Sequence, residues 1–174
     1  MKVRAYVLFV AAALLAISAG TKNARPTEGA NPGDLAPRIE FLGNGSDSSF
    51  QNHSGRYTLL NFWAAYDAES RARNVQLWNE VNKMSSGKID MCSISMDEKP
   101  SIFTETVKAD KLEGTKQFHE GLGRKSKLYG KYKLDKGFRN FLIDDKGVII
   151  AANVTPDQLS LIHISEPTRR TPIS

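Results

Sequence analysis

The chain of 174 residues carries one cysteine, Cys92, so it has no internal disulfide and is not a disulfide-stapled fold. Its three histidines are scattered, and no Cys/His spacing suits zinc. No metal and no cofactor are therefore expected. Long apolar runs are also missing: Tyr6 to Ile17 falls short of the roughly 20 residues a membrane span takes. Charge of one sign is not in excess where it would matter. Of 24 basic and 19 acidic residues, Lys2 and Arg4 lie in a leader, and Glu166, Arg169 and Arg170 lie in the tail, leaving 20 against 18 between them. That balance holds no basic footprint, and nucleic acid is excluded as a partner. With 40% hydrophobic and 25% charged residues, the composition is that of one globular domain.

Lys2 and Arg4, the apolar run and Ser18-Ala19-Gly20 form the three parts of a secretory signal over residues 1–20, preferred here to an uncleaved N-terminal anchor. Export to a periplasmic or other extracytoplasmic compartment follows, with membrane contact only through the leader. Residues 21–33, rich in Pro, Gly and small polar side chains, read as a linker with little to bury. At the other end, residues 159–174 resemble the translation of a transposase sequencing adaptor, from Leu159 to Arg169 and again at Ile173-Ser174. The expected domain is therefore 34–158, with its final helix truncated.

Tyr57 to Trp63 is a β-rich run without alternation, as in a strand covered on both faces. Leu77, Val81 and Met84 then recur at helical spacing, predicting an amphipathic helix from Glu69 to Met84. Ile89 to Met96 predicts a second strand, and Pro100 opens a helix to about Ala109. Between Lys111 and Gly123, three glycines predict an irregular connection. Ser126 to Tyr132 reads as a short helix. Asn140–Ile143 and Val148–Ala152 read as a hairpin about Asp144-Asp145-Lys146-Gly147, and Thr155-Pro156-Asp157 starts a helix. The order implies an α/β fold: a mixed sheet flanked by helices.

Three stretches resemble the exported thiol-disulfide oxidoreductases of the TlpA and ResA type, in the thioredoxin superfamily and related to peroxiredoxins. They are Gly33-Asp-Leu-Ala-Pro37 with Phe41, Gly55 to Ala64 with its Asn-Phe-Trp-Ala core, and Tyr132 through Asp144 with Gly147. The resemblance implies a thioredoxin-like fold and, in intact members, a Cys-x-x-Cys pair opening the helix after the first strand. Here the two matching positions hold Asp67 and Ser70, the Pro that follows in the family matches Val75, and the cis-Pro matches Phe138. A cis bond outside proline costs several kcal/mol, so the peptide before Phe138 is expected to be trans.

Disulfide exchange needs a thiolate at a helix N-terminus and a second thiol to resolve the mixed disulfide. Neither Asp67 nor Ser70 supplies one. Asp67 reads first as an N-cap, with Tyr66, Asp67, Glu69, Ser70, Arg71 and Phe138 as a candidate surface for another exported protein. The leading expectation is a redox-inactive binding or structural module. Its rival is an atypical oxidoreductase working through Cys92 or a partner's cysteines, although a cysteine inside a strand is ordinarily a small buried hydrophobe.

Overall fold

The computed structural model describes residues 26–39, 56–84 and 89–162. The leader, Phe41, His53 and residues 163–174 lie outside the described residues. Five strands form one sheet: β1 (Tyr57–Trp63), β2 (Ile89–Ser95), β3 (Gln117–His119), β4 (Asn140–Ile143) and β5 (Ile149–Ala152). Their order is β3-β2-β1-β4-β5, so β1 lies at the centre. β2 runs parallel to β1 and β3 parallel to β2, whereas β4 is antiparallel to both β1 and β5. Helices α1 (Ala68–Lys83), α2 (Pro100–Ala109), α3 (Lys127–Lys131) and α4 (Pro156–Ile162) connect or close these strands.

Central placement explains the unalternating sequence of β1, which is buried from Thr58 to Trp63. Its side chains divide between two cores by the period of two. On one face Leu60 and Phe62 pack with Cys92, Ile94, Phe141 and Tyr132. On the other, Leu59 packs with Met91, Leu142, Leu77 of α1 and Leu159 of α4. The apolar stripe of α1 faces this second core, with Trp78, Val81 and Met84 partly buried beside Leu77.

Toward its N-terminus the inward face of α1 turns polar: Ser70 and Asn74 are buried there. Asn74 accepts hydrogen bonds from Asn61 Nδ2 (2.9 Å) and Ser93 Oγ (2.7 Å) and donates to Gln117 Oε1 (3.2 Å). The chain links β1, α1, β2 and β3 and lowers the cost of burying these groups, although Asn61 Oδ1 and Gln117 Nε2 remain buried without a partner.

Three sequence expectations need correction. The irregular connection from Lys111 to Gly123 contains β3, a three-residue strand that exists because β2 offers it a partner: Ser93 N donates to Lys116 O, and Glu120 N to Ser95 O. The linker read over 21–33 reaches into the domain over its described residues, 26–33. Ala30 is fully buried, Gly33 N donates to Ile149 O, and Asp34 Oδ2 closes a turn on Asn31 N, so even small residues here have something to bury and to bond. Finally, the last helix runs through the boundary placed at Gln158, and Leu159 is fully buried. Thr155 caps that helix, exchanging hydrogen bonds with Gln158 in a reciprocal box.

Candidate functional site

β1 delivers the chain to the start of α1 at the C-terminal end of the central strand, the end where α/β sheets present their ligand crevices. Asp67 is the N-cap: its Oδ1 accepts from Ser70 N at 2.8 Å, and its carbonyl accepts from Arg71 N. The negative side chain also meets the positive end of a helix of 16 residues. Ser70 is buried, its Oγ donating to Asp67 O (3.1 Å) and accepting from Ala64 N (3.3 Å). Both residues are therefore committed to shaping the strand-to-helix turn.

The turn is braced from beneath by Asp97, a residue the sequence reading passed over. Its buried carboxylate accepts from Ala65 N (2.9 Å) and Ser95 Oγ (2.7 Å), fixing the backbone just ahead of Tyr66. Its carbonyl lies 2.7 Å from His119 Nε2, and the His119 ring stacks on Phe103, which in turn contacts Trp63. His119 thus belongs to β3 and to this packed corner. An acid directly after a strand that ends beside the candidate site was the signal available for Asp97.

Across from α1 lies the loop that enters β4. Gly137 adopts φ +108°, a conformation that other residues rarely hold, and no cis peptide occurs among the described residues. Phe138 follows in trans linkage, its ring 6.1 Å from that of Tyr66, which is 61% exposed. Arg73 Nη2 donates to Phe138 O at 2.7 Å, stitching helix to loop. Between them opens a cleft of about 400 Å³ lined by Asp67, Glu69, Arg73, Lys136, Phe138 and Arg139, among others.

Tyr66, Asp67, Glu69 and Phe138 are thus brought together, whereas Ser70 and Arg71 are engaged elsewhere. Ser70 faces inward for the reason given. Arg71 turns away to Asp110 at the end of α2, making two hydrogen bonds of 2.8 and 2.6 Å that raise its pKa and hold it charged. Cys92 is far from this arrangement in character. It lies in β2 at 2% exposure, and burial pushes its thiol up to about 12, with Lys116 opposing weakly. Among the described residues, no group of three His, Cys, Asp or Glu side chains is placed to hold a metal, and no helix is long and apolar enough to cross a membrane.

This fold recurs in known structures. A thioredoxin-like protein from Parabacteroides distasonis is 71% identical over 81% of this chain and all of its own, with a TM-score of 0.73. The chain belongs to the thioredoxin-like family. A thiol-disulfide oxidoreductase from Bacteroides fragilis is 26% identical, covering 75% of this chain and 98% of its own, with a TM-score of 0.61. The C-terminal domain of a putative thiol-disulfide oxidoreductase from Bacteroides thetaiotaomicron shares the fold at 23% identity, with a TM-score of 0.63 and coverage of 79% and 94%. No protein-family model matches the chain, and no curated protein does.

Proposed function

We propose that this chain is an exported thioredoxin-like module without dithiol chemistry, which binds another exported protein through the surface formed by Tyr66, the start of α1 and the Phe138 loop. One observation carries the reading: the two positions where the family resemblance puts a cysteine pair hold a capping carboxylate and a buried hydroxyl, each satisfied within the turn. An aspartate cannot form the mixed disulfide, and a hydroxyl cannot resolve it. The exposed Tyr66 beside Phe138 supports a contact surface, since an aromatic with an apolar body and a polar tip suits an interface. Export rests on the leader and on the resemblance to exported oxidoreductases.

The test is reduction of insulin disulfides by the protein and by its Cys92→Ala variant, with dithiothreitol as electron source. The expected result is no turnover above the dithiothreitol background for either. Turnover that survives Cys92→Ala overturns the reading, and turnover abolished by it transfers the activity to Cys92.

A further inference from the structure

The cleft beside Phe138 is defined by its charges. Arg73 is held in place on both sides, by Phe138 O and, at 3.4 Å, by Glu69 Oε1, and its Nε is buried without an acceptor. Lys136 and Arg139 line the same cleft, and neither makes an ion pair among the described residues. Arg139 is set over the ring of Phe141, 5.2 Å from its centre, which orients the guanidinium without neutralising it. The acids on the opposite rim answer this charge poorly. Asp67 accepts from Ser70 N through Oδ1 at the positive end of α1, and Glu69 is 89% exposed, where a single pair in water is worth little.

We infer that this cleft binds a carboxylate carried by an extended polypeptide, with Lys136 and Arg139 as its charge partners and Arg73 as the fixed floor. The inference deepens the binding-module reading and rests on it. A carboxylate fits because Lys136 and Arg139 line the cleft without an ion pair among the described residues, and because a guanidinium presents paired donors to its two oxygens. A polypeptide fits because the cleft is shallow and polar, without the apolar walls that enclose a small organic ligand, so its occupant needs contact area alongside. The exposed Tyr66 and the half-buried Phe138 supply that area at the cleft's edge.

The inference is tested by fluorescence anisotropy with the full chain and four labelled peptides: acetyl-Gly-Leu-Glu-Glu-Leu-Gly-amide, its Gln-Gln and Lys-Lys counterparts, and the Gln-Gln peptide with a free C-terminal carboxylate. The Glu-Glu peptide should bind about fivefold to tenfold more tightly than the Gln-Gln amide, an advantage that shrinks in high salt. Recovery of that advantage by the free C-terminus identifies a chain end, rather than an acidic side chain, as the preferred source. Lys136→Gln with Arg139→Gln should remove the preference, and Lys136→Arg with Arg139→Lys should keep it, each variant being matched to the parent by circular dichroism. Equal binding of the Glu-Glu and Gln-Gln amides, or a preference untouched by the Gln variant, overturns the inference. So does failure of every carboxylate peptide to bind at millimolar concentration. The absence of dithiol chemistry is judged separately, by the insulin assay.

Discussion

Two places in this molecule divide between them what thiol chemistry requires. The start of α1 has the setting: a half-exposed position at a helix N-terminus, backbone N–H groups ready for a negative charge, and an open cleft beside it. It has no sulfur. The middle of β2 has the sulfur, in Cys92, but surrounds it with Leu60, Ile94, Phe141 and other members of an apolar core. There the thiol is pushed up to about 12, because burial penalises the thiolate. Reactivity belongs to neither residue type nor location alone, and here the two are separated. What survives at α1 is a rigid, charged turn, which is the material of a binding surface.

The contrast breaks most visibly if Cys92 is reachable. A thiol reagent at neutral pH should modify Cys92 in the folded chain about 1,000-fold or more slowly than in urea, since access requires opening of the central sheet. Rates within tenfold of each other would place the thiol outside the core. A charge sharpens the same point, because Cys92→Asp puts a carboxylate where no partner awaits it and should cost ~3 kcal/mol or more in denaturant unfolding. A loss under 1 kcal/mol would mean that β2 is solvated at that position.

The smallest effect is the alkaline limb of stability. Cys92 has a folded pKa raised above the ordinary thiol value, so the unfolded chain releases the proton first. The stabilisation is fully present below pH 9 and is lost as pH rises toward about 12, by at most about 1.4 kcal/mol per pH unit. Between pH 9 and 10 the unfolding midpoint should fall in the parent and stay nearly level in Cys92→Ala. Above that range the Tyr132 hydroxyl, raised chiefly by burial, adds a decline of the same sign to both proteins.

Much of the fold was legible because its signals are local. Pro100 and Thr155-Pro156 announce helix starts that the structure keeps, and Tyr57 to Trp63 announces a strand covered on both faces. β3 was not legible, since Gln117-Phe118-His119 carries no period of its own and is a strand only by pairing with β2. The same division runs through the site. The cap at Asp67 follows from an acid just ahead of a helix. The Arg73 contact to Phe138 O spans 65 residues and the Arg71 contact to Asp110 spans 39, so no spacing rule announces either. Polar residues on the buried face of α1, Ser70 and Asn74, were hidden for a related reason: Ser70 bonds to Ala64 just past β1, and Asn74 to Asn61 and Ser93 in strands that only the fold brings near.

The most direct test of the separation is to put the sulfur back where the setting is. In a Cys92→Ala background, Asp67→Cys places one thiol at the cap position of α1, and its pKa is read from the pH dependence of alkylation by iodoacetamide. The account predicts a value below the ordinary thiol pKa of about 8.5, because the thiolate inherits the Ser70 N–H and the helix end that now hold the Asp67 carboxylate. A value at or above about 8.5 would contradict it, by showing that the start of α1 has lost the thiolate setting along with the thiol.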